Sequence, residues 1–289
     1  MRIVKVRKDA LDDKEDDFYQ ALYTQSQAQF NTYIASGTVL NNYAHIFDIL
    51  IRLRQAVDHP YLVIHSATNS TSSELVETHS SSATNPKKKA KSNEKDQDCC
   101  ICHDPVDELD GIKATCGHIF CKLCIEEYIS TITDKPMSDG EKSGANCPSC
   151  FKPLTLSLIS ESNTISIWDN TLKRRKSILD KVNLSEFQSS TKLEALMQEL
   201  THMQRDDLGA KAIVFSQFVN MLDLIEYRLQ TGGISCVKLQ GSMNIDQRDK
   251  VLKEFNENHQ MKVLLISLKA GGVALNLTVA NYIYIMDPW

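Results

Sequence analysis

Hydrophobic and polar positions divide this chain into stretches of different period. In residues 14 to 35, Phe18, Leu22, Tyr23, Phe30, Tyr33 and Ile34 recur close to helical spacing. A second helical stripe runs from Leu40 to Val57 through Tyr43, Ile46, Phe47, Leu50, Leu53 and Val57. It must stop before Pro60, because proline pushes the preceding residue out of the α region. Residues 66–97 lose all apolar period and are rich in Ser, Thr, Asn and Lys, which predicts a disordered linker. Residues 156–190 read as a polar connector. From Thr191 an amphipathic helix carries Leu193, Leu196, Met197 and Leu200. Short apolar runs then alternate with helical patterns: strand 212–215, helix 218–229, strand 236–239, helix 245–255, and strands 263–266 and 282–285. This alternation predicts an α/β domain with a parallel sheet.

Composition adds little to that picture. Hydrophobic residues make up 42% of the 289 and charged residues 24%, enough for folded domains with a real core. The net charge of −5 argues against wholesale coating of nucleic acid, although a local basic surface is compatible with it. The apolar runs are too short to span a bilayer, and the first residues form no signal-peptide core. No membrane partner is expected. The basic clusters Lys87 to Lys91 and Lys173 to Lys176 read individually as solvated surface.

Cysteine changes the picture. Eight of the nine cysteines lie between Cys99 and Cys150. The spacing is Cys99-x2-Cys102, Cys116-x-His118-x2-Cys121-x2-Cys124 and Cys147-x2-Cys150. A Cys-x2-Cys turn offers two thiolates to one tetrahedral metal, so four ligand pairs make two complete zinc sites. With four protein ligands each, both would be closed and therefore structural. Spacing alone leaves open whether the pairs combine sequentially or interleave. Cys100 reads as a bystander, Cys236 as a core residue of a strand, and His103 as an unused neighbour of the ligands.

The order of these pairs resembles the RING zinc-finger family. The resemblance implies interleaved sites, Cys99, Cys102, Cys121 and Cys124 for one ion and Cys116, His118, Cys147 and Cys150 for the other. It further implies a ubiquitin-conjugating enzyme as partner, docked on an apolar groove at Ile101, Tyr128 and Pro148. Phe151 stands where the family often has a basic residue that activates the ubiquitin conjugate, and Lys152 follows it.

In a parallel sheet, functional loops gather at the carboxyl ends of the strands. Here these are Ser216-Gln217, Gln240-Gly241-Ser242, the stretch Ser267 to Gly272, and Asp287-Pro288-Trp289. Paired glycines let backbone amides approach a phosphate, and Lys269 adds charge. Four stretches resemble the second RecA-like lobe of SWI/SNF-type DNA-translocating ATPases of helicase superfamily two. They are Ala212 to Phe218, Leu239 to Met243 with Arg248, the run SLKAGGVALNL from Ser267 to Leu277, and Arg54 to Leu62, which is similar to the segment closing the first lobe. Ala274 replaces a more usual glycine.

The resemblance implies a domain order. Residues 1–65 would be the helical end of a first helicase lobe, 98–155 an inserted RING, and 191–289 a partial second lobe. It implies that Gln217, Gly241, Arg248, Ser267, Lys269, Gly271 and Gly272 lie along the DNA and lobe-interface side. The combination is similar to a small group of RING-bearing DNA-repair translocases, in nucleotide-excision and post-replication repair. For the whole protein it implies DNA, damage-recognition factors and ubiquitin as partners, ATP and magnesium as cofactors, and the nucleus as location. No G-x-x-x-x-G-K-[ST] phosphate loop occurs in the sequence. The tetrad Asp107 to Asp110 follows no apolar strand and is set aside as a metal motif. The chain is therefore expected to be an internal stretch of a longer translocase, inactive alone as an ATPase. The rival expectation is a RING ubiquitin-ligase module whose α/β half is a scaffold.

Overall fold

A computed structural model describes residues 3–39, 43–65, 98–106, 111–133, 146–150, 152–154, 177–241, 243, 245–268, 270 and 277–288. The expected linker 66–97, both basic clusters, the acidic tetrad, Phe151, most of the connector, and Ser242, Lys269, Gly271, Gly272 and Ala274 lie outside the described residues.

Two long helices come first. Helix α1 spans Asp13–Ala35 and α2 spans Tyr43–Asp58, followed by the short α3, Pro60–Ile64. The start of α1 is set by a capping box, in which the Asp12 side chain accepts from Glu15 N while the Glu15 carboxylate accepts from Asp12 N. The apolar stripe read along α1 does not form a buried face. Tyr23, Phe30 and Ile34 are exposed, and the residues buried on this helix are Glu15 and Ser26. Period reveals which residues share a face, not whether anything covers them.

The zinc-finger stretch holds a two-stranded antiparallel ribbon, β1 (Gly111–Lys113) with β2 (Ile119–Cys121), and helix α4 (Lys122–Thr133). Two single turns of 3-10 helix, Ile178–Asp180 and Leu184–Glu186, carry the end of the connector into α5, Thr191–Asp206.

The α/β half contains β3 (Ala212–Ser216), α6 (Val219–Thr231), β4 (Cys236–Leu239), α7 (Ile245–Glu257), β5 (Val263–Ser267) and β6 (Tyr282–Ile285). Its strands form one parallel sheet in the order β4-β5-β3-β6. The central strands are buried on both faces, which is why they read as continuous apolar runs rather than alternating ones. The alternation appears instead in what each face touches. Ala212, Val214, Val263 and Leu265 join the core containing α5 and α6. Ile213, Leu264 and Ile266 join the core containing Phe255 of α7. The sheet therefore has helices on both faces, α5 and α6 on one and α7 on the other. Lys211 anchors the end of α7, donating from its buried ammonium to the carbonyls of Phe255, Asn256 and Asn258. No helix among the described residues is long and apolar enough to cross a membrane.

Candidate metal centres and the sheet edge

Two backbone turns of the same design hold the zinc-finger cysteines. In the first, Cys99 N donates to Asp104 O at 2.8 Å, and Asp98 bridges Pro105. In the second, Cys147 N donates to Lys152 O at 2.8 Å, and Asn146 bridges Pro153. Each turn brings two sulfurs of a Cys-x2-Cys pair to one side. Between them the β1–β2 ribbon closes through Gly117, whose φ of 92° is a conformation that glycine adopts readily and other residues rarely do. Nothing lies within 4 Å of a Cβ placed there, so conformation rather than space requires the glycine. That turn puts Cys116 and His118 on one edge while Cys121 ends β2.

The ligand atoms gather in two quartets, each with all members within 4.8 Å of one another: Cys99, Cys102, Cys121 and Cys124, and Cys116, His118, Cys147 and Cys150. The pairs thus interleave in space, and the sequential alternative is not what the fold assembles. Zn–S bonds of about 2.3 Å at tetrahedral angles place two sulfurs about 3.8 Å apart. Cys102 Sγ and Cys121 Sγ are 3.8 Å apart. His118 Nδ1 lies 3.4 Å from Cys116 Sγ and 3.6 Å from Cys147 Sγ, as a shorter Zn–N bond requires. Donor set and spacing fit a closed tetrahedral zinc ion in each quartet, with no position left for a reacting water.

The electrostatics agree. Hydrogen bonds from Cys102, Cys121 and Cys124 hold the Cys99 thiol well below its ordinary value, and bonds from Cys121 and Cys124 bring Cys102 to about 7. The thiols of Cys121 and Cys124, facing these sulfurs, are pushed up. In the second quartet burial raises Cys116, but the backbone and ring of His118 bring it down to about 6, while burial pushes Cys147 up to about 12. Sulfurs this close cannot all carry charge without a cation; a divalent ion removes the conflict by holding them all as thiolates. Cys99 Sγ also accepts from the backbone amides of Ile101 and Cys121, which supports a thiolate there.

The other residues read from the sequence fall as follows. His103 turns away from both quartets and pairs through Nε2 with Asp48 of α2. Cys100 has its thiol raised by burial and belongs to neither quartet. Cys236 opens β4, packed against the core, with its thiol pushed up to about 11 by burial. Ile101, Tyr128 and Pro148 are all buried; Ile101 is 4% exposed and Tyr128 7%. The Tyr128 hydroxyl donates to Asn146 O at 3.0 Å, so this side chain braces the second cysteine turn.

In the α/β half, parallel register aligns the strand ends. Ser216 lies beside Ser267, Phe215 beside Ile285, and Leu239 beside Ile266. The turns after β3, β4, β5 and β6 therefore share one edge. There Gln217 N donates to Asp287 Oδ2 at 2.6 Å, and Ser267 Oγ accepts from Ala270 N at 3.1 Å. Arg248 donates to Gly241 O at 2.7 Å and Met243 O at 3.0 Å. Burial raises the Asp287 carboxyl, and the Arg54 side chain donates to the Asp287 carbonyl at 3.2 Å.

Asp104 and Asp48 are neighbours of the first quartet that sequence reasoning missed, and Gln55, read only as part of the Arg54 to Leu62 stretch, donates to Cys102 O at 3.0 Å. The Asp104 carboxylate accepts from Val219 N and Asn220 N, the first amides of α6. One signal could have found it. Phe218, the residue that opens α6, has no side chain able to cap, so a cap had to come from elsewhere.

Comparison with known proteins adds to this geometry. The family model for the helicase conserved C-terminal domain matches residues 191–289, and that for RING-type zinc fingers matches residues 99–148. The chain is 41% identical over 288 residues to the ATP-dependent helicase rhp16 of Schizosaccharomyces pombe, covering 100% of this chain and 30% of that protein. It is 34% identical to the DNA repair protein RAD5B of Arabidopsis thaliana, over 95% of this chain and 21% of that protein. Against the helicase-like transcription factor of Homo sapiens the figures are 32%, 99% and 27%. The chain thus spans about a fifth to a third of the length of these relatives. Among solved structures, the C-terminal part of the Fun30 ATPase domain aligns at 31% identity with a TM-score of 0.35, over 39% of this chain and 36% of that one.

Proposed function

We propose, from the premise that this chain carries the helicase conserved C-terminal domain and the RING-type zinc finger of SWI/SNF-type helicases, that it works within an ATP-driven DNA translocase of DNA repair. The observation that carries this reading is the unbroken likeness to an ATP-dependent helicase at 41% identity over 288 residues, through zinc finger and helicase domain alike. Nucleotide-excision repair in the nucleus is the process proposed for it.

Each part has a role in that reading. Two zinc ions hold the RING, one in each quartet, and the RING recruits a ubiquitin-conjugating enzyme through Ile101, Tyr128 and Pro148. The shared edge of the sheet, with Gln217, Gly241, Arg248 and Ser267, faces DNA and the opposing lobe, and Lys269, Gly271 and Gly272, which the family resemblance assigns to the same role, act with them. ATP and magnesium serve the whole protein. Hydrolysis needs a glycine-rich phosphate loop on one lobe and an arginine finger from the other, and no phosphate loop occurs in this sequence. The 289-residue chain is accordingly expected to hydrolyse no ATP, with or without DNA. The whole protein is expected to be a DNA-stimulated ATPase, and Gly271→Asp in it to abolish the stimulation by setting a carboxylate against phosphate. A whole protein without ATPase activity would sink the translocase reading.

A further inference from the structure

The first cysteine turn of the RING is held from two sides by the rest of the chain. On one side stands α2. Gln55 Nε2 donates to the carbonyl of Cys102 at 3.0 Å, and the Asp48 carboxylate pairs with His103. On the other side stands the start of α6. The Asp104 carboxylate accepts from Val219 N at 3.1 Å and Asn220 N at 3.5 Å. It caps a helix that has no side-chain cap of its own. The bonds are themselves sheltered from water, since Gln55, His103 and Asp104 are 3%, 5% and 1% exposed. Apolar packing follows the same path: Ile51 of α2, Ile101 of the RING, and Phe218 and Met221 at the start of α6 belong to one continuous core.

Ile101 sits in the middle of this turn. A partner gains binding energy from a side chain by removing its surface from water, and a residue 4% exposed has almost no surface left to remove. We infer that the RING, as packed here, is closed to a ubiquitin-conjugating enzyme by its own chain. The turn 99–104 must leave α2 and α6 before Ile101 can engage a partner. The inference rests on the proposed reading of the RING as a docking site for such an enzyme, and it adds an intramolecular competitor for that site. Apparent affinity is then the intrinsic affinity scaled by the undocked fraction. Linkage makes the effect reciprocal: an enzyme bound to Ile101 removes Asp104 from α6 and uncaps the helix that follows β3. Ubiquitin transfer and the helicase domain would thus be coupled through one carboxylate.

The test uses the whole 289-residue chain loaded with zinc. The double variant Asp48→Ala with Gln55→Ala removes the α2 side of the clamp without touching the RING. Asp104→Ala removes the α6 side and keeps the Asp104 carbonyl to which Cys99 N donates in the cysteine turn. Zinc content checks that both quartets survive. In the Asp48/Gln55 double variant, which keeps the Asp104 carboxylate, amide exchange at Val219 and Asn220 reports whether the turn has left α6. Binding is measured against a panel of purified ubiquitin-conjugating enzymes. The expected result is faster exchange at these amides, unchanged zinc, and binding stronger by about tenfold or more, which Ile101→Ala in the released variants then abolishes. Equal binding by wild type and released variants, with exchange accelerated, overturns the inference and leaves the docking reading standing. Absence of binding by wild type and released variants alike, again with exchange accelerated and zinc retained, overturns the docking reading and the inference with it.

Discussion

Asp58 at the end of α2 lies 2.5 Å from the ammonium of Lys192 in the first turn of α5. The pair joins the helical segment ahead of the RING to the helicase domain behind it. Ser190 Oγ, which caps α5, also donates to the Asp58 carbonyl at 2.9 Å. Despite this partner the Asp58 carboxyl is raised from 3.8 to about 7. Burial is the larger effect, at 1% exposure, and the nearby Asp287 charge works in the same direction; Lys192 opposes both.

A pH dependence of stability follows from that shift. The folded chain binds the Asp58 proton more tightly than the unfolded chain. The contribution is therefore fully present below about pH 4, is lost as pH rises through about 7, and is flat above that. Across this window the Asp58 contribution falls with rising pH, while that of buried His59, held down to about 4, rises. Asp58→Asn, which keeps the shape and removes the titration, is expected to remove the falling part, so that thermal stability climbs more with pH than in wild type. An equal slope in wild type and Asp58→Asn would show that Asp58 does not carry that part.

Zinc gives a second prediction. Two ions per chain are expected by metal analysis, with Cys121→Ser losing ligation at the first quartet and disordering the RING while the parallel sheet keeps its own unfolding transition. Gly117 refines the test, since it stands between Cys116 and His118 at φ 92° with open space around it. Gly117→Val is expected to weaken zinc retention against a competing chelator through backbone strain of about 1–3 kcal/mol. Gly117→Asn, which tolerates positive φ better, is expected to fall in between. If both variants retain zinc like wild type, the turn does not need the left-handed conformation.

The parts of this molecule that the sequence made legible are those where local spacing is dictated by a local demand. A tetrahedral ion needs two sulfurs from one tight turn, so Cys99-x2-Cys102 and Cys147-x2-Cys150 announce themselves. A central parallel strand is buried on both faces, so Ala212–Ser216 and Val263–Ser267 read as apolar runs. Interleaving of the quartets needed the resemblance to a known family, because Cys121 and Cys147 are equally free to pair either way in sequence. Docking of the RING was illegible for a different reason. Asp104 and Val219 are 115 residues apart, and a single aspartate after a cysteine pair carries no period. The apolar stripe of α1 shows the converse, a local pattern that the described residues leave uncovered at Tyr23, Phe30 and Ile34.

Arg248 separates a structural role from a DNA-contacting one. Its Nε and Nη2 donate to two carbonyls of one loop, Met243 O and Gly241 O, in the fork arrangement that a guanidinium provides. Lysine keeps the charge, but its one nitrogen cannot occupy both the Nε and the Nη2 positions from which the two carbonyls are now reached, so one of the two bonds is lost. Loss of one charge-assisted bond to the loop is worth about 1.5 kcal/mol, or about tenfold in an opening equilibrium. The Met243 amide, which donates to Gln240 O at 3.3 Å across the same turn, reports that opening. Arg248→Lys is therefore expected to speed exchange at Met243 by about tenfold in the absence of DNA. A residue that served only to contact phosphate would show the opposite pattern. Lysine would replace it well in DNA binding, and the Met243 amide would exchange at the wild-type rate.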